Sequence, residues 1–194
     1  MKDWNRLYSA VEGFFKAQMP GFLTYHNWQH TLRVLYFSEF IAEQQALSEE
    51  DILLLKTAAL YHDTGFIHGP QQHEENSFKI AEIELPGHHY LPSELMIIEG
   101  LIQATKIPQQ PKTPLEEILA DADLEYLGTD DFTTIGESLY HEMQHFYPDM
   151  SRNTWNELQI SFMKQHRYHT TYCIQNRLPK KLENLKRLID QRNA

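Results

Sequence analysis

The sequence predicts an all-α fold, a single compact helical domain over residues 1–194. Three observations predict it: apolar residues recur at helical spacing along most of the chain, capping signals stand before those stretches, and the alternating β-branched runs and Asn-Gly signals of hairpins are absent. Trp4, Leu7, Tyr8, Val11, Phe14 and Phe15 mark a first helix, which Pro20-Gly21 ends. Asn27 is placed to cap a second helix running to about Gln45. Ser48 with Asp51 makes an acidic variant of the capping box for a third helix, expected to end near Gly65. Ser93 after Pro92 opens another, carrying Leu95, Ile98, Leu101 and Ile102. Thr113-Pro114-Leu115-Glu116 is a capping box with Pro at the first helical position, and Gly128 is placed to end that helix. Two or three more helices are expected from Asp130 onward, so that a block over 129–194 packs on a core of about 25–128.

Composition narrows the function. With 17 Lys and Arg against 27 Asp and Glu, the formal charge is −10, the wrong sign for wrapping nucleic acid. A small anion held in a local cationic pocket stays compatible with it. Apolar runs such as Ile52-Leu53-Leu54-Leu55 fall far short of the roughly 20 residues a membrane span needs, so no membrane partner is expected. Cys173 is the single cysteine, which forbids an internal disulfide framework, and no basic segment followed by an apolar one opens the sequence. A cytoplasmic location is the expectation. The oligomeric state is open. The unusual feature is eleven histidines, and their placement carries the argument.

The third helix is apolar nearly all round, with Ile52 to Leu55, Ala58, Ala59, Leu60 and Tyr61, which places it at the centre of the fold. It runs into His62-Asp63. A carboxylate buried there costs several kcal/mol unless something pairs with it. For the dipeptide alone, a capping Asp and a core His bonded to backbone is the plainer reading. Two further segments change this. At about 100° per residue, Ile118, Leu119, Ala122, Tyr126 and Leu127 form one arc that includes Asp123, whereas Asp121 points to the opposite side and is expected at the solvated surface. His30 shares the face of Val34, Phe37 and Ile41, with His26 one turn earlier. Convergence of His30, His62, Asp63 and Asp123 on one cation accounts for all of them. Mixed nitrogen and oxygen donors leave positions for water, which suits a divalent ion that acidifies bound water and polarises a phosphoryl oxygen.

His30, His62-Asp63 and Asp123 resemble, in order and spacing, the signature of the HD superfamily of metal-dependent phosphohydrolases: a His, a His-Asp pair and a distant Asp. Tyr25-His26-Asn27-Trp28-Gln29-His30-Thr31 resembles the opening motif of the cyclic-nucleotide phosphodiesterase branch, and Ala122-Asp123-Leu124 its segment around the last ligand. The branch's purine-selecting glutamine and aromatic clamp have no identified counterpart here. Thr64-Gly65-Phe66-Ile67 stands where the alarmone-hydrolase branch carries an acidic pair, which sets that branch aside. The resemblance, over about 25–128, implies an all-helical HD-type domain with His30, His62, Asp63 and Asp123 as ligands of one divalent ion: Mn, Fe, Co, Zn or Mg. It implies His26 as the general acid that protonates the leaving oxygen while a metal-activated water attacks phosphorus in line. The substrate implied is a nucleotide or another small phosphorylated metabolite.

Secondary candidates follow. His73 is the candidate ligand for a second ion, with a helix-start cluster favouring the dipole as the plainer reading of His73-Glu74-Glu75. Lys106 is a candidate phosphate contact, a solvated Lys otherwise. His88-His89 are read as loop surface, and His166, Arg167 and His169 as the solvent face of a helix with a substrate-anion role as the alternative. Trp155, Phe162 and the methionines are read as core. A non-catalytic metal-containing sensor that binds a nucleotide or other ligand is the alternative function. A di-iron oxygenase is a third, which requires two irons and more His ligands than the motifs assign.

Overall fold

Short polar side chains start most of the helices in the computed structural model, which describes residues 2–192. Helix α1 (Trp4–Gln18) starts at Asp3, whose carboxylate accepts the Arg6 amide. Helix α2 (Trp28–Gln44) starts at Asn27. Helix α3 (Glu49–Tyr61) starts at Ser48, whose Oγ accepts the Asp51 amide at 3.1 Å and donates to the Asp51 carboxylate at 2.7 Å. The remaining helices are α4 (His73–Glu84), α5 (Pro92–Ala104), α6 (Pro114–Asp123), α7 (Phe132–Phe146), α8 (Arg152–Gln165), α9 (Thr171–Asn176) and α10 (Leu178–Arg192). Short 3-10 turns cover Thr64–His68, Leu85–His88 and Glu125–Gly128. Among the described residues there is no strand, and the fold is all-α as expected.

Three expectations about elements change. The third helix ends at Tyr61 rather than near Gly65, because the chain tightens into the 3-10 turn of Thr64–His68. The helix from Pro114 ends at Asp123, and Gly128 closes the following 3-10 turn instead. Four helices, one of six residues, follow Asp130 where two or three were expected.

The chain divides into two units. The first comprises the N-terminal segment through Gly21 together with His26–Asp123. Helix α3 is at its centre, in contact with α1, α2, α4, α5 and α6, and Leu54, Leu55, Ala58, Ala59 and Leu60 are almost wholly buried. The absence of a polar face on that helix follows from this position. Gly65 lets the turn after α3 lie against α4: a Cβ there would stand 2.1 Å from the His73 carbonyl oxygen and 2.6 Å from the Ser77 amide. Ser77 fastens the contact, accepting the Gly65 amide at 2.8 Å and donating to the His62 carbonyl at 2.6 Å.

The second unit comprises Phe22–Tyr25 and everything from Leu124. Tyr25, Leu124, Tyr126, Leu127, Phe132 and Met163 form its core. Asn184, wholly buried, donates from Nδ2 to the carbonyls of Leu127 (3.0 Å) and Thr129 (2.9 Å), satisfying the end of the 3-10 turn. His166, Arg167 and His169 follow α8 in non-helical chain rather than on a helix face. Trp155 is buried as expected and Phe162 packs half-buried against the core around Met163, but Met96, in the first unit, is 73% exposed.

Candidate metal centre

Local structure brings the donors to one point of the first unit. His30 lies in the first turn of α2, where the Asn27 side chain accepts the amides of Gln29 (2.9 Å) and His30 (3.2 Å) and so fixes where that turn begins. His62 caps α3, its amide bonded to the Ala58 carbonyl. Its ring Nδ1 stands 2.8 Å from the Ala59 carbonyl oxygen. A carbonyl only accepts, so Nδ1 carries the proton and Nε2 presents a lone pair unless the ring is cationic. Asp63 follows in the turn out of α3, and Asp123 is the last residue of α6.

The four side chains meet. His30 Nε2 and His62 Nε2 are 3.2 Å apart. Asp63 Oδ2 lies 3.1 Å from the first and 3.0 Å from the second, and Asp123 Oδ1 lies 3.1 Å and 3.7 Å from them. One donor atom each from His30, His62 and Asp123 falls within 4.8 Å of the others. Two donors held at ~2.1 Å from one ion and at right angles stand ~3.0 Å apart, so these spacings fit a divalent cation. The chemistry of the set agrees. Asp63 Oδ2 is buried with no donor aligned on it, although both imidazole nitrogens are at contact distance. A buried carboxylate oxygen facing two imidazole nitrogens calls for a shared cation, a metal ion or protons.

Electrostatics without an ion show the same demand. Burial alone pushes the His30 imidazole down, but the carboxylates of Asp123 and Asp63 outweigh it and hold it above its ordinary value. His62 is held well above it in the same way, against burial, by Asp63 and Asp123. Burial would raise Asp63, yet His62, His26 and His30 hold it well below the carboxylate range. Asp123, which is less enclosed than Asp63, is likewise pushed up by burial but drawn down to about 2 by His30 and His62. Raised imidazoles beside lowered carboxylates favour positive charge at this point, which a bound ion would also supply.

The other candidates lie as follows. The His26 ring is 6.0 Å from the His30 ring and nearly perpendicular to it, stacked on Phe66. His73, at the start of α4, turns Nδ1 to the Pro70 carbonyl at 3.2 Å, leaving Nε2 3.8 Å from Asp63 Oδ1 and 3.5 Å from Glu74. Lys106, just beyond α5, is exposed and paired with Glu75. His88 lies in a groove with Arg6, Phe14 and Glu84, apart from the cluster. Asp121 corrects an expectation: it is wholly buried rather than solvated. Five consecutive residues of α6, Ile118 to Ala122, are buried because α2, α3 and α5 all pack on this helix, so that stretch leaves no face for solvent. Sequence reasoning missed Phe66 and Glu74. Phe66 stands three residues after Asp63, and the segment holding it was used only to set a branch aside. Glu74, 5% exposed, was read as a first-turn charge.

No curated protein matches the chain. A crystal structure at 1.45 Å of a predicted HD superfamily hydrolase from an uncultured Thermotogales bacterium is similar in fold, with a TM-score of 0.56 and 18% identity over 84% of this chain and 90% of that one. The model of the HD domain matches residues 27–125, from the cap of α2 to just past Asp123, and that span holds both imidazoles and both carboxylates of the cluster. By that match the chain belongs to the HD domain family, whose members generally bind divalent metals.

Proposed function

We propose that the protein is a metal-dependent phosphohydrolase acting on the phosphoester of a nucleotide or another small phosphorylated metabolite. The observation that carries this reading is the meeting of two imidazole nitrogens and two carboxylates at 3.0–3.7 Å in a buried centre, with a further imidazole just outside the set. His30, His62, Asp63 and Asp123 hold the ion. When bound, the ion supplies a low-pKa water and neutralises phosphoryl charge. His26 stands outside the ligand set and delivers a proton to the departing oxygen, a role suited to an imidazole. A purely structural metal has no use for such a group, which favours hydrolysis over a sensor. His73 faces the second oxygen of Asp63 and is the place for a second ion. Lys106 has to leave Glu75 before it can meet a phosphate.

The test is metal quantification on purified protein combined with a panel of mononucleotides, cyclic nucleotides and sugar phosphates. Asp63→Ala is expected to lose both metal and turnover. His26→Ala is expected to keep the metal and lose about 10²–10⁴-fold in kcat. A metal-loaded protein inert toward the whole panel overturns the catalytic reading in favour of the sensor, and full activity in Asp63→Ala overturns the metal mechanism.

A further inference from the structure

Beside the donor cluster lies an aromatic arrangement that the ligand set does not require. Phe66 is 4% exposed, and its ring is in contact with two imidazoles. His26 stacks on it with centroids 3.7 Å apart and planes 17° apart; His73 lies against it at 4.2 Å and 34°. The two imidazoles are themselves 6.1 Å apart.

The backbone fixes this ring relative to the centre. Phe66 sits in the 3-10 turn that starts directly after Asp63, and its amide donates to the Asp63 carbonyl at 3.1 Å. The Gly69 amide closes on the Phe66 carbonyl at 2.9 Å. Gly65, through its close approach to His73 and Ser77, sets the same turn against the first turn of α4. The segment that supplies a carboxylate to the cluster therefore also supplies a flat apolar wall at a set distance from it. His26 is half-buried and precedes the first turn of α2, and the Phe66 face is one of the surfaces that hold its ring. A phenyl face in parallel contact fixes the plane of the imidazole without itself covering the edge where both nitrogens lie.

We propose that Phe66 is a positioning residue, whose ring face sets the angle at which His26 addresses the centre formed by His30, His62, Asp63 and Asp123. The proposal rests on the reading of His26 as proton donor for its consequence in catalysis, and on the ring geometry alone for its structural part. The two parts are tested separately.

The structural part is read by NMR on the metal-free wild-type protein, where the carbon-bound imidazole protons of His26 are expected upfield of free-histidine positions because they lie over a phenyl face. In Phe66→Leu, which keeps an apolar group of similar burial, they are expected to return downfield. Unshifted His26 protons in the wild type overturn the proposal with no variant needed. The catalytic part is read by kinetics on metal-loaded protein. Phe66→Leu is expected to keep its metal content and KM within about twofold and to lose about tenfold in kcat, with Phe66→Tyr restoring most of the loss. In the His26→Ala background, Phe66→Leu is expected to cost nothing further, since the group it orients is gone. An undiminished kcat in Phe66→Leu, or an equal loss in both backgrounds, overturns the positioning role. Wild-type protein inert toward every phosphoester would defeat the functional reading, and the NMR shifts would still decide whether the stack exists.

Discussion

Asp63 has two oxygens with different surroundings: Oδ2 faces His30 and His62, and Oδ1 faces His73. The ordered shape of the centre comes from residues of this kind, and it was readable in the sequence because a His-Asp pair on an apolar helix needs a partner. Phe66 was not readable, since nothing in a Thr-Gly-Phe-Ile run shows which ring the phenyl will meet. The titration of the cluster gives a prediction with a definite sign. Both imidazoles are raised above the ordinary value of about 6.5, His62 well above it, so the metal-free centre retains protons to higher pH than free histidines do, and an ion has to displace them. Metal affinity is expected to rise with pH from about 6 upward, with proton release measurable as a dependence of the calorimetric binding heat on the buffer's ionisation heat. The metal-free protein behaves oppositely. A raised imidazole pKa stabilises the fold below about 6.5 and ceases to do so as pH climbs through the folded-state value, so its Tm is expected to fall with rising pH while added metal restores it. An affinity that is flat across this range would contradict the protonated centre.

At the scale of elements, helix starts were legible and helix ends were not. Asn27 and Ser48 cap as read because a side-chain acceptor near an orphan amide is a local matter. The end of α3 depends on a tertiary contact: Gly65 does not terminate a helix but lets the next turn lie against α4. Asp121 shows the same limit, since a periodicity argument presumes one solvated face and the stretch Ile118 to Ala122 has none. The Gly65 contact predicts that Gly65→Ala destabilises strongly. Its Cβ would meet backbone atoms of His73 and Ser77 at 2.1 and 2.6 Å, neither of which can rotate away. A loss of about 1–3 kcal/mol, or roughly 2–12 °C in Tm, is expected by thermal denaturation. An unchanged Tm would mean that the turn and α4 are not in contact. Ser77→Ala leaves the Gly65 amide and the His62 carbonyl without their partner and is expected to cost about 1–3 kcal/mol in the same measurement.

At the scale of the whole molecule, every residue singled out for the centre falls in the first unit, and the second unit carries no motif. Its organisation is packing and buried polar bonding, which a composition with a net charge of −10 does not disclose. Lys181 is the clearest case, because its place on α10 suggests a solvated charge while the structure leaves it 2% exposed. Its ammonium donates to the His166 carbonyl and lies 5.7 Å from the Tyr168 ring centre. Burial pushes its pKa down to about 8. An unfolded Lys keeps its proton to about 10.4, so between those values the unfolded chain binds more protons than the folded one, and stability rises with pH. Lys181→Met removes that titration. The difference in Tm between wild type and Lys181→Met is therefore expected to move in favour of the wild type from pH 8 to 10.5, and a difference constant over that range would show that the ammonium is hydrated rather than buried. The wild-type protein has to give up this proton to gain that stability, whereas its metal-free centre loses stability on deprotonation, so the two units answer the same rise in pH with opposite sign.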